Sequence, residues 1–105
     1  MNTIRRLRGL AQQLPADVNV GKNGLTESVV AEIKRRLKQK GVVKVRLLNS
    51  SLEVEGSDRR EIAKEIARKV GGLLIDVRGK TLVIIRKDIS PTRLLQYLES
   101  KVLKV

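Results

Sequence analysis

Apolar side chains recur along this chain at two different periods, and the switches between them mark out eight elements. Ile4, Leu7, Leu10, Ala11 and Leu14 repeat at helical spacing and predict a helix over residues 2–13, with Arg5, Arg6 and Arg8 off the stripe. Pro15 ends it, because the residue before a proline is biased away from the helical region. Residues 17–20 read as a short strand, and Gly21-Lys22-Asn23-Gly24 as a loop. Thr26 caps a second helix that runs to Lys40 on an inner stripe of Val29, Val30, Ile33 and Leu37, and Gly41 stops it. Alternation then predicts a strand over 42–48, with Val43, Val45 and Leu47 on one face and Lys44 and Arg46 on the other.

Residues 49–57 are a polar connection. Asp58 and Glu61 form a capping pair for a third helix whose inner face is Ile62, Ala63, Ile66, Ala67 and Val70, stopped by Gly71-Gly72. Residues 73–77 and 82–85 are strands joined by a hairpin with Gly79 and Lys80 at its tip. Ser90-Pro91 starts a last helix that runs to Lys104. The order helix-strand-helix-strand-helix-strand-strand, plus a C-terminal helix, implies one α/β domain with a mixed four-stranded sheet. Crossovers through helices favour parallel neighbours, and the hairpin supplies an antiparallel pair.

Charge is the feature of composition that bears most on function. Twenty-three Lys and Arg face eleven Asp and Glu across 105 residues, a formal net charge of +12. Such an excess opposes compaction by self-repulsion, and its usual partners are polyanions. The chain has no Cys and no His, which removes disulfides, thiolate nucleophiles, imidazole proton transfer and metal sites built on sulfur or imidazole. Neither a catalytic residue, a metal ligand set nor a cofactor is expected. The remaining acids fall in helix caps or beside basic neighbours, where ion pairing accounts for them. No signal-peptide pattern or membrane-length apolar run is visible, and a cytoplasmic protein without a membrane partner or a small-molecule substrate is the expectation.

The stretch Gly21-Lys22-Asn23-Gly24-Leu25-Thr26 places a Gly-x-x-Gly turn between a strand and a helix. Glycines admit a phosphate chain close to the backbone, and the free amides of the helix start carry partial positive charge. Lys22 adds a full charge and Asn23 a hydrogen-bond donor. Lys34, Arg35 and Lys38 follow at i, i+1 and i+4 and are expected to form one basic face, with Glu32 around the side. Arg5, Arg6 and Arg8 add to it from a first helix without acids, so residues 1–40 hold nine basic and three acidic side chains. The third helix interleaves its cations with Glu61 and Glu65 and reads as a solvated surface. A one-sided positive field over the loop and the first two helices is therefore expected.

Two other motifs fail. Gly79-Lys80-Thr81 resembles the end of a nucleotide-binding loop, but the glycine needed five residues earlier is Leu74, and a strand follows. Recognition by aromatic stacking on a sheet is excluded, because Tyr97 is the only aromatic residue and lies in the last helix, where it reads as a partly buried packing residue.

Gly9-Leu10-Ala11, the run from Val20 through Glu27, and the run from Val77 through Val83 resemble the CRM domain family, whose stand-alone forms in bacteria and archaea are the YhbY-like proteins. The resemblance covers residues 1–87 and leaves 88–105 as a C-terminal helical extension. It implies an RNA-binding α/β fold similar to the C-terminal domain of bacterial translation initiation factor three. It also implies Gly21, Lys22, Asn23 and Gly24 as the RNA-contacting loop, and ribosomal RNA or a ribosomal particle as partner. The alternative is an architectural DNA-binding protein of the small basic α/β type.

Overall fold

Helix starts in this chain fall where a side chain can take up a free amide. Asn2 Oδ1 accepts from the Ile4 amide at 2.9 Å, Thr26 Oγ1 from Val29 at 3.2 Å and Asp58 Oδ1 from Glu61 at 3.0 Å. The computed structural model describes residues 2–49 and 58–103. Within them run α1 (Thr3–Ala11), β1 (Val18–Val20), α2 (Glu27–Lys40), β2 (Val42–Leu47), α3 (Arg59–Val70), β3 (Leu73–Arg78), β4 (Thr81–Ile85) and α4 (Pro91–Leu103). The polar connection expected over 49–57 lies, from residue 50 onward, outside the described residues, as does Lys104.

The four strands form one mixed sheet in the order β1-β2-β4-β3. β1 and β2 pair in parallel, with Val20 opposite Leu47, and β4 is antiparallel to both of its neighbours. Crossover through α2 thus gives parallel neighbours, but crossover through α3 does not, because β4 inserts between β2 and β3. Its composition explains the insertion. Leu82, Val83, Ile84 and Ile85 are apolar at every position and all are buried, as befits a central strand covered on both faces.

Two cores result. On one face α2 and α3 bury Ile33, Leu37, Ile62 and Ile66 against Val20, Val43, Val45, Leu47, Leu82 and Ile84. On the other, α1 and α4 bury Leu7, Ala11, Leu94, Leu95 and Leu98 against Val42, Ile75, Val83 and Ile85. Gly41, at the turn from α2 into β2, has φ +81°, and a methyl group there would lie 2.6 Å from Leu94 Cδ2. Only glycine lets α4 settle so close to that turn.

The second face also receives Lys44, on the side of β2 opposite Val43, Val45 and Leu47, as the alternation predicts. Its ammonium donates to the carbonyls of Ala11 and Gln12 at 3.2 Å each and Leu14 at 2.8 Å. These carbonyls stand at and just beyond the C-terminal end of α1, where a cation is favourable. Burial, and then the nearby Arg46, push the lysine below its ordinary pKa.

Candidate nucleic-acid interface

β1 is an edge strand, and it delivers the chain into a tight turn. The Gly24 amide donates to the Gly21 carbonyl at 3.0 Å, which leaves Lys22 and Asn23 exposed at the two corners. The two glycines differ in what they do. Gly24 has φ +68°, a left-handed conformation that a side chain disfavours. Gly21 has no positive φ, and a methyl there would make an ordinary 3.7 Å contact with Leu48. The Thr26 amide then bonds the Gly24 carbonyl at 3.1 Å, and α2 starts. Its first amides, from Glu27 and Ser28, have no acceptor within the helix and sit at the positive end of its dipole.

Strand register brings further cations to this end of the sheet. Arg46 lies opposite Thr81, and Thr81 opposite Arg78. The Leu47 amide donates to the Lys80 carbonyl at 2.7 Å, and the Leu48 amide to Val20 at 2.9 Å. The Lys22 turn, the end of β2 and the β3–β4 hairpin therefore stand side by side. Arg46, Asn49, Lys80 and Thr81 line a shallow depression there. Lys22, Arg46 and Lys80 are exposed and bond no carboxylate among the described residues. Arg78 is exposed too, with its guanidinium on Gln12 Oε1 at 2.6 Å. Arg46, Arg78 and Lys80 were not among the sequence candidates. The available signal was the parallel β1–β2 crossover, which forces the loop after β1 to lie beside the end of β2.

On α2, Lys34 and Lys38 are exposed and border two neighbouring grooves. One, of about 330 Å³, begins at Leu25 beside the turn and lies between α2 and Lys69 of α3. The other, of about 420 Å³, continues past Lys38 to Arg86, Lys87 and Asp88. Arg35 does not share the acid-free surface expected of it. Glu32 sits one turn back and takes Arg35 Nη2 at 2.6 Å and Arg36 Nε at 2.6 Å. Both arginines hold the Glu32 carboxyl below its ordinary pKa.

The expectation that α1 and α2 share one basic flank is also corrected, since they cover opposite faces of the sheet. Two of the three α1 arginines are moreover engaged internally. Arg6 pairs with Glu99 of α4 at 2.8 Å. Arg8 Nε donates to the Ile75 carbonyl. Ile75 is the extra residue of a β-bulge between Leu74 and Asp76, where the ladder leaves backbone unpaired, and the guanidinium fills that gap. Arg5 is exposed. The α3 helix behaves as read from its spacing: Glu65 holds Arg68 and, at 3.9 Å, Lys69, while Glu61 lies 3.8 Å from Lys64.

Comparison with known proteins places this geometry. The family model for the CRS1 / YhbY (CRM) domain matches residues 2–86. The chain belongs to that family. A relative from Methanocaldococcus jannaschii, named Probable RNA-binding protein, is 35% identical over 82 residues, 78% of this chain. The match spans 59% of that relative's own length. Another from Pseudomonas aeruginosa, with the same name, is 30% identical over 85% of this chain and 82% of its own. One from Haemophilus influenzae, named RNA-binding protein, is 34% identical over 76% of this chain and 77% of its own. In three dimensions the CRM fold here is similar to the solution structure of a Staphylococcus aureus protein described as a candidate RNA binder. That similarity has a TM-score of 0.68 at 26% identity, covering 84% of this chain and 88% of the other. The family match ends before α4, which packs on α1 and the sheet. No helix among the described residues is long and apolar enough to cross a membrane.

Proposed function

We propose that this CRM-domain chain is an RNA-binding protein without catalytic activity, acting in the cytoplasm on ribosomal RNA or a ribosomal particle. The Gly21–Gly24 turn grips the RNA backbone. Lys22 and Asn23 meet phosphates at its corners, and Arg46 and Lys80 extend the contact over the sheet end. Lys34 and Lys38 continue it along α2. The observation that carries this reading is an exposed Lys22-Asn23 turn at a helix start, flanked by cations that no described carboxylate neutralises. The names of the three relatives support RNA as the polyanion. With one aromatic residue in the chain, affinity at this surface rests on phosphates and RNA shape rather than on a stacking sheet.

Binding of a short single-stranded RNA to Lys22→Glu and Lys64→Glu variants tests the reading. Lys22→Glu is expected to weaken binding about five- to tenfold near 0.1 M salt, from a slope of roughly 0.7 per neutralised phosphate. Lys64→Glu, on the ion-paired face of α3, is expected to change it little. Equal losses from both would overturn the loop-centred reading. Competition by duplex DNA at fixed salt completes the test, and preference for the duplex would favour an architectural DNA-binding role instead.

A further inference from the structure

At the end of β1 away from the turn, α4 meets the α1–β1 connection and encloses a cavity of about 210 Å³. Leu14, Val42 and Leu98 supply its apolar lining, and Tyr97 is a further wall. The cavity is smaller than the roughly 300–1,000 Å³ of sites for drug-sized ligands, so it has room for a single ring system.

Tyr97 is the chain's only aromatic residue, and it is not used in the core. It remains 37% exposed while its helix buries Leu94, Leu95 and Leu98. The Lys101 ammonium lies 5.7 Å from its ring centroid. Lys40, Lys44 and Asp17 also line the cavity. Asp17 is already held by the Lys40 ammonium and by the Lys44 amide at 2.9 Å, so its negative charge is answered and the rim is net positive. An apolar slot with one aromatic wall and a cationic rim is complementary to a planar aromatic group that carries an anion.

We infer that this cavity holds one unstacked nucleobase of single-stranded RNA against Tyr97, with the adjoining phosphate on Lys101. The inference rests on the RNA-binding reading above and adds a second contact point to it. β1 joins the two points: Asp17 lines the cavity and Gly21 opens the turn, a separation of roughly 13 Å at about 3.3 Å per strand residue. A few nucleotides along the exposed edge of β1 bridge that gap. Tyr97, Leu98 and Lys101 lie beyond the family match, so this subsite belongs to the helix added to the CRM fold. Stacking tolerates any base, so the cavity contributes affinity and register more than base identity.

The composition provides the test. With no Phe, Trp or His, the aromatic ¹H–¹³C spectrum of labelled protein contains Tyr97 alone. Titration with a mixed-sequence oligoribonucleotide is expected to move the Tyr97 ring signals upfield while the amides of residues 21–24 also shift. Tyr97→Ala is expected to weaken binding roughly five- to a hundredfold, the range found when a stacking aromatic is truncated. Tyr97→Phe is expected to keep the affinity, and Lys101→Glu to lower it with the fold intact. Shifts in the loop without a response at Tyr97 would overturn this inference and leave the RNA-binding reading standing. No shift at either place would overturn both. A Tyr97 response to an acidic phenylalanine-containing peptide, and not to RNA, would make the cavity a protein-docking site and overturn the inference as well.

Discussion

Helices α1 and α2 are both rich in cations, but their charges serve different ends. The α1 sequence has three arginines and no acid, whereas α2 carries Glu27 and Glu32 among its basic residues. In the fold the order reverses. Arg6 is answered by Glu99 from another helix, and Arg8 by a bulge carbonyl that no carboxylate count would reveal. On α2, Glu32 takes Arg35 and Arg36 and leaves Lys34 and Lys38 exposed beside grooves. Local charge balance therefore says little about which cations remain available to a ligand; partners distant in sequence decide it.

The sharpest way to break this contrast is to reverse charges on each side of it. Lys22→Glu, Lys34→Glu and Lys38→Glu combined are expected to lower RNA affinity by about a hundredfold near 0.1 M salt, from three lost phosphate contacts at roughly 0.7 in slope each. Arg5→Glu, on the other face, is expected to change it about twofold through long-range attraction alone. Filter binding over a salt series measures both, and comparable losses would erase the distinction.

Next in size is the asymmetry between the loop glycines. Gly24→Ala is expected to cost about 1–2 kcal/mol in urea denaturation, because alanine must adopt a left-handed φ. Gly21→Ala is expected to cost much less, since its added methyl meets only an ordinary contact. Arg8→Ala is expected to lose about 1 kcal/mol by orphaning the Ile75 carbonyl, with RNA affinity nearly unchanged. Arg6→Ala is expected to lose less, roughly 0.2–1 kcal/mol, as a surface pair does.

The smallest effect is one of pH. Burial holds Lys44 below the ordinary lysine value of 10.5 in the folded chain, so the unfolded chain binds more protons in the window just below that value. Stability from this group is thus fully present above about pH 10.5 and lost as pH falls through the folded pKa. Relative to Lys44→Met, the wild type is expected to gain stability as pH is raised from about 9 to about 11. A fall over that range would mean that the three carbonyl bonds outweigh burial.

These contrasts also show what the sequence could reveal. All eight elements are legible in it because their caps, periods and stops agree, as at Thr26, Asp58, Gly41 and Gly71. The Gly-x-x-Gly turn is legible for the same reason. The position of β4 between β2 and β3 was signalled by its unbroken apolar run, but strand order is a pairing property and alternation within one strand does not report it. Arg46, Arg78 and Lys80 join the loop only through register, and Lys44 turns inward only because the end of α1 lies above it. The α1 arginines misled for the converse reason, since Glu99 and Ile75 lie far away in sequence.

Amide shift mapping of ¹⁵N-labelled protein against a single-stranded RNA tests most directly whether the available cations, rather than the most numerous, form the interface. The expected map centres on residues 21–24, spreads to Arg46, Lys80 and Lys34, includes a second, local response at Tyr97 and Lys101, and leaves Arg6 and Arg8 unmoved. A map centred on α1, or one spread evenly over both faces of the sheet, would contradict it.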